Sequence, residues 1–419
     1  MKGTILYRSF LQAATLAKCH KEYTESFSVV AKKATLPLLQ ALGRPICQDI
    51  VARQNLPGFA RSSVDGFAIR AEDCFGASEQ NPIFLDLLGA VAMGQAAEVE
   101  YKKGGLVEVP TGGALPAGAN AVVMVENTQP LGETTVEVRK SVAPFENVIG
   151  EADDVAQGDV VLSAGEVVTA AHTGLLAALG LSEMEVYEPL NIAVLATGDE
   201  VVPYTEASVG AGCVRNVNSP MISAMMAASG FSAKDYGIVQ DDPDELERAM
   251  RKALDECHVL LVSGGSSAGA RDFTCQVIEK LEDGRIDFHG LRLAPGKPTI
   301  LGQAFGKPVI GLPGHPVSCA VVVDRVVRPL LRLLAGERKW LRGPNRMVTM
   351  AENVSAKPGR EEYVRVRLEA SDGDWLAYPV RGPSGAVATL AKADGVILIP
   401  LEIEGVKAGD RVAFFDLAR

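Results

Sequence analysis

Val259-Leu-Leu-Val262-Ser263-Gly264-Gly265-Ser266-Ser267-Ala268-Gly269-Ala270-Arg271-Asp272 is the stretch on which the fold turns. An apolar run that predicts a buried strand empties directly into a glycine-rich loop ending on a carboxylate. Glycine lets backbone N–H groups approach an anion with no Cβ in the way, and a following helix N-terminus adds its positive end. Ser263, Gly264 and Gly265 are therefore candidate phosphate contacts, although a strand-glycine-helix turn also serves as a plain connector.

Strands and helices alternate around this segment from about 189 to 335, beginning with Ile192-Ala-Val-Leu-Ala196 and its loop Thr197-Gly198-Asp199-Glu200. The alternation predicts a parallel, doubly wound α/β sheet. One helix is expected from Ser219 to Gly230, and another begins at Asp242, with Pro243 next and Glu245 completing a capping box. Ligands of such sheets gather beyond the strand C-termini, where both the 197–200 and 263–272 loops fall.

The flanks read differently. Short β runs at 63–69, 83–88, 106–109, 121–125 and 135–138, punctuated by Gly and Pro, predict a small antiparallel module at 51–149. Residues 1–50 and 150–188, with a helix capped by Thr169 and closed near Gly180, form a discontinuous N-terminal part. From 340 to 419 the β alternation returns: Tyr363-Val-Arg-Val-Arg-Leu368 sets Val364, Val366 and Leu368 against Arg365 and Arg367, predicting a C-terminal β-barrel or sandwich. The fold class is multi-domain α/β plus β, as 419 residues exceed what one core organises.

Composition narrows the function. A net charge of −11 speaks against nucleic acid, no apolar run is long enough to span a bilayer, and Arg8 and Lys18 interrupt any signal-peptide core. A cytoplasmic protein with no membrane partner is expected. Seven scattered cysteines with no Cys-x-x-Cys pair read as reduced core residues, and five histidines without ligand spacing give zinc little support. A hard cation held by carboxylates stays open. Net negative charge also means that local cations and N–H groups must overcome a general repulsion of any anionic ligand.

Each candidate has a plainer alternative. Asp65, before Gly66, is a turn cap or a site acid, and Thr111-Gly112-Gly113 is a turn or an anion contact. Glu200 stands at a strand end; Asp242 is best read as a helix cap, leaving Asp241 for chemistry; Asp272 is a cap or a metal ligand. Lys297 is held stiffly inside Pro295-Gly296-Lys297-Pro298, which suits a fixed cation for phosphate or oxyanion. His315, in Leu312-Pro-Gly-His-Pro-Val-Ser318, is more often a loop residue than a base.

Taken in order, Ser63-Val-Asp65-Gly-Phe-Ala, Pro110-Thr111-Gly112-Gly113, Thr197-Gly-Asp-Glu200, Ser263-Gly-Gly265, Asp272, Pro295-Gly-Lys297-Pro298 and Leu312-Pro-Gly-His-Pro-Val-Ser318 resemble the molybdopterin molybdenumtransferase family, which includes the C-terminal part of gephyrin. The resemblance implies a four-part subunit, usually a homodimer, that takes adenylylated molybdopterin and molybdate and releases molybdenum cofactor and AMP. It implies that Asp272, Asp241 and Glu200 hold Mg²⁺, that the glycine-rich loop and Lys297 meet phosphate, and that Asp65 and Thr111 reach the pocket of the opposite subunit. Arg365 and Ser384 of Gly382-Pro-Ser-Gly385 correspond to family positions at the oxyanion site. As partners it implies the adenylyltransferase of the same pathway and molybdoenzyme apoproteins or chaperones. Many members carry lysines where this chain has Gly290 and Ala294, with Arg292 or His289 as substitutes. A tungstate-specific member, or a scaffold that binds molybdopterin without turnover, is the rival reading.

Overall fold

A six-stranded sheet organises the middle of the chain, in the order Ser232–Val239, Asn191–Thr197, Val259–Ser263, Lys307–Leu312, Ile300–Ala304, Arg285–His289. The structure, a computed structural model, describes residues 13–264, 268–371 and 373–417, and the backbone alone for 268–272. The first four strands run parallel, but Ile300–Ala304 runs antiparallel to both of its neighbours, so the expected parallel sheet is a mixed one. The cause is local. Phe305 and Gly306 have φ of 53° and 68°, the backbone of a two-residue primed turn, which reverses the chain at once between Ile300–Ala304 and Lys307–Leu312.

Both faces of this sheet are covered. Ile192, Val194 and Leu261 pack with Ile222, Met226, Val321 and Leu330 of the helices on one side. On the other, Ala193, Leu195 and Leu260 meet Leu246 and Met250 of Pro243–Glu256 and Val277 and Ile278 of Ala268–Lys280. Side chains of one strand thus alternate between two cores, as period 2 requires. Asp242 caps its helix by accepting from Asp244 and Glu245 N–H at 2.9 and 2.8 Å. The helix before it runs Asn218–Ala228, starting one residue ahead of the expected Ser219.

Before and after the β-rich insertion the chain pairs with itself: Lys33–Pro37 with Glu183–Tyr187, Ile50–Val51 with Val160–Leu162, and Arg61–Ser62 with Val148–Ile149. Between them lies a second six-stranded sheet. It is antiparallel except that Ile83–Ala90 runs parallel to Gly105–Val109, because the connection 91–104 is long enough to carry the chain back to its starting edge. Gly66 is obligatory there: a Cβ would stand 2.0 Å from the Val123 carbonyl oxygen.

In the C-terminal part, Glu361–Ser371, Asp374–Pro379, Arg346–Met350, Arg411–Asp416 and Gly395–Ile399 pair in turn, and the last pairs back to the first. That closes a barrel around Val348, Val366, Ile397 and Phe414. Leu293–Ala294 adds to its edge beside Glu361 and Glu362 and ties it to the middle of the chain.

The long helix from Pro316 to Leu334 makes a second tie. Its middle, Val323–Val327, opens into one π turn. There Asp324, only 2% exposed, faces Arg325 at 2.9 Å and Arg328 at 2.5 Å, and the Arg325 guanidinium sits 4.1 Å from the centre of the Phe415 ring of the barrel. Removing one partner of such a cluster leaves charge uncompensated in a poor solvent for it. Asp324→Ala is expected to lower unfolding free energy by about 3–5 kcal/mol, measured by urea denaturation of the whole chain.

Candidate functional site

Three parallel strands deliver three loops to one edge. The loops after Thr197, Ser263 and Leu312 surround a cavity of about 730 Å³ lined by Thr197, Glu200, Asn218, Ser263, Gly264 and His315 among others. The helices Asn218–Ala228 and Pro316–Val322 both begin at this edge, which turns their positive ends toward it.

The first loop is shaped by Gly198, whose φ of +136° and the 2.7 Å gap between a built Cβ and Glu200 Oε2 exclude a side chain. The glycine lets the Glu200 carboxylate lie across the backbone. Val201–Val202 then pairs with Val214–Arg215, and these two short strands form the rim of the cavity. Asp199 faces the next loop, where its Oδ1 accepts the Asp241 N–H at 3.1 Å. The Asp241 carboxyl is pushed above its ordinary range by burial first, then by the charges of Asp199 and Glu200. Asp241 and Glu200 are thus brought together, with Asp199 as a third carboxylate that the sequence reading passed over.

Gly265 lies outside the described residues, as does the side chain of Asp272. The backbone of Asp272 falls inside the helix Ala268–Lys280 and not at its start, so the helix-cap reading of this residue does not hold. Among the described residues no three His, Cys, Asp or Glu side chains are grouped as a metal would require.

The floor of the cavity is polar. Asn218 Nδ2 donates at 2.8 Å to Ser263 Oγ and at 2.8 Å to the Gly314 carbonyl, binding two strand ends to the helix start. Asn216 Oδ1 accepts from the Ser219 N–H at 3.1 Å, and its Nδ2 donates to Ser219 Oγ at 2.9 Å. Among the described residues, the buried Thr197 Oγ1 and Asn218 Oδ1 have no hydrogen-bond partner.

Two further cavities continue the first toward the barrel. One of about 360 Å³ shares Gly314 and His315 with it and is lined by Lys297, Ser318, Arg360 and Ser384. The next, about 520 Å³, shares Ala294, Pro295 and Ser384 with the second and includes Arg365 and Arg381. Ser384 Oγ and His315 Nδ1, 2.8 Å apart, join the barrel loop to the central part at this junction. Arg365 Nη2 donates to the Gly382 carbonyl at 2.6 Å, and its other end-nitrogen bonds the Thr389 hydroxyl. The guanidinium is therefore held at the cleft wall by the loop that carries Ser384. Arg292 is no substitute cation here: its Nε donates to the Ala13 carbonyl at 3.1 Å, and it lines none of these three cavities. The second cation beside Lys297 is Arg360, which the sequence reading missed because nothing local marks a charged residue at a hairpin start as facing another domain.

Asp65 and Thr111 meet each other, Asp65 Oδ1 accepting the Thr111 N–H at 2.8 Å. Neither lines the cleft of its own chain.

Residues 12–180 match the family described as "MoeA N-terminal region (domain I and II)", 193–333 the "Probable molybdopterin binding domain", and 347–417 the "MoeA C-terminal region (domain IV)". The chain is 31% identical over 405 residues to molybdopterin molybdenumtransferase 2 of Mycobacterium tuberculosis, covering 95% of this chain and 98% of that one. It is 31% identical over 385 residues to molybdopterin molybdenumtransferase of Staphylococcus epidermidis, covering 92% and 91%. Among solved structures, a molybdopterin biosynthesis MoeA protein from Pyrococcus horikoshii aligns with a TM-score of 0.77 and 30% identity over 97% of this chain and 99% of that one.

The crowded carboxylates carry a pH signature. With its folded pKa raised, Asp241 holds its proton more tightly in the folded state, so this group takes stability away as pH climbs from the ordinary carboxylate range through the raised value. Asp199→Asn is expected to move the Asp241 titration midpoint downward, followed by carboxyl ¹³C NMR; an unmoved midpoint would show that Asp199 exerts no field there.

Proposed function

The chain belongs to the molybdopterin molybdenumtransferase family, and on that premise we propose that it makes molybdenum cofactor by inserting molybdate into adenylylated molybdopterin with release of AMP. The observation that carries this reading is the continuity of the cleft. A substrate with a phosphoanhydride at one end and an oxyanion-receiving dithiolate at the other needs two charge-handling regions in one groove. Glu200, Arg215 and the strand-end residues Ser263 and Gly264 line one part, and Lys297, Arg360 and Arg365 line the other.

On this reading Ser263, Gly264 and Gly265 bind the adenylate phosphate through hydroxyl and backbone N–H donors, and Lys297 offsets its charge. Asp241 and Glu200 help position the water that adds to phosphorus as the P–O bond of the anhydride breaks, leaving AMP and the pterin phosphate, with the proton of the water released to solvent. The charges of Asp199 and Glu200 bear on Asp241, which suits a cation nearby, and Glu200, Asp241 and Asp272 would hold Mg²⁺. When bound, the ion would neutralise charge on the phosphates. Arg365 and Ser384 orient the oxyanion. Asp65 and Thr111 complete the pocket of a neighbouring subunit in a homodimer.

Purified protein mixed with adenylylated molybdopterin, Mg²⁺ and molybdate is expected to release AMP, read by chromatography. Binding without release would instead favour the scaffold reading, for which Gly290 and Ala294 leave fewer cations at the oxyanion end. Glu200→Gln and Asp241→Asn are each expected to lower kcat by about 10²–10³ with KM little changed. Replacing molybdate by tungstate tests oxyanion choice in the same assay.

A further inference from the structure

We infer that Asn218 is a positioning residue that fixes the hydroxyl of Ser263 as a hydrogen-bond donor to the adenylate phosphate; this deepens the proposed function and rests on it. The argument begins at Gly314. A backbone carbonyl only accepts, so the Asn218 side-chain atom 2.8 Å from it must be the amide nitrogen. The same nitrogen lies 2.8 Å from Ser263 Oγ. An amide N–H cannot accept, so Ser263 Oγ accepts, and its own hydrogen is left free.

The consequence is a sign. A phosphate oxygen only accepts, and a hydroxyl that had given its hydrogen to a neighbour would turn a lone pair toward the anion. Asn218 occupies one lone pair of Ser263 from within, so the hydroxyl hydrogen is turned away from it and kept for another acceptor. The pin is rigid: Asn218 is 6% exposed and Ser263 4%, and Asn218 opens an 11-residue helix whose start is held by Asn216 and Ser219. Among the described residues Asn218 Oδ1 has no partner of its own, which marks the side chain as placed for its nitrogen. Such a buried, half-satisfied amide is retained at a cost, the pattern expected where ligand geometry and not stability sets the residue.

The test uses the full chain with AMP and Mg²⁺, and adenosine as the probe lacking phosphate, in titration calorimetry. Asn218→Ala and Ser263→Ala are each expected to weaken AMP binding about tenfold. The double variant is expected to match Ser263→Ala within about twofold, since Asn218 acts through that hydroxyl. Adenosine affinity is expected to stay unchanged in Asn218→Ala, which a general structural lesion would not allow. Asn218→Ser, too short to span both partners, serves if the alanine variant does not fold. AMP affinity equal to wild type in these variants, losses that multiply in the double variant, or an equal loss for adenosine would each overturn the inference. Wild-type protein that binds no AMP would instead remove the adenylate reading on which it rests.

Discussion

Parallel strands cannot be joined by a tight turn, and the rest of this molecule depends on that constraint. Each connection from Asn191–Thr197 to Ser232–Val239, and onward to Val259–Ser263, must cross a face of the sheet as a helix before the next strand begins. Strand ends therefore accumulate at one edge. Loops at 197–200, 263–264 and 312–316, far apart in sequence, become the walls of one cavity, and the helices that begin at Asn218 and Pro316 turn their positive ends toward it. The antiparallel hairpin at Phe305–Gly306 breaks the pattern only at the far side of the sheet, so it does not disturb this edge.

The barrel matters because it adds cations beyond the Arg215 that lines the first cavity. The chain as a whole repels anions, with net charge −11, and the acids of the 197–200 and 241–242 loops sharpen the repulsion nearby. Lys297 is the central domain's own cation in the 360 Å³ cavity; Arg360 there and Arg365 in the next come from the barrel. Their placement follows from the two ties between the units. Leu293–Ala294 pairs directly with Glu361–Glu362, one residue past Arg360, and the Asp324 cluster carries Arg325 onto Phe415. Charge supplied in this way depends on domain packing as much as on local sequence.

Much of this was legible in advance, and the reasons are physical. The run 259–262 could only be a buried strand, Asp242-Pro243 could only open a helix cheaply, and Thr169 with Gly180 bounded another helix; each signal is local and strong. Strand direction is not local. Nothing in Ile83–Ala90 or Gly105–Val109 states that they run parallel, because direction is set by where a connecting segment returns, not by side-chain period. Among site residues, Glu200 and Ser263 stood out because they close strands, and Lys297 because prolines frame it. Asn218 did not, since an asparagine at a helix start reads as a cap. Its side chain instead reaches across two loops 45 and 96 residues away, a relation that only the assembled sheet creates.

The same edge gathers features that a stability argument alone would remove. Burial, and then the charges of Asp199 and Glu200, raise the Asp241 pKa, Thr197 Oγ1 and Asn218 Oδ1 are buried without partners among the described residues, and Gly198 takes a φ of +136° beside the Glu200 carboxylate. Each is mildly unfavourable, whereas Val309, Ile300 and Ala304 of the same sheet simply pack in its core. Unfavourable terms that cluster at one place are offset by something that binds there. Excess negative charge and an amide oxygen without a donor call for a cation, while the hydroxyls and backbone N–H groups of the strand-end loops suit an anion. A ligand carrying phosphate beside a divalent ion answers both demands at once, and neither half alone would.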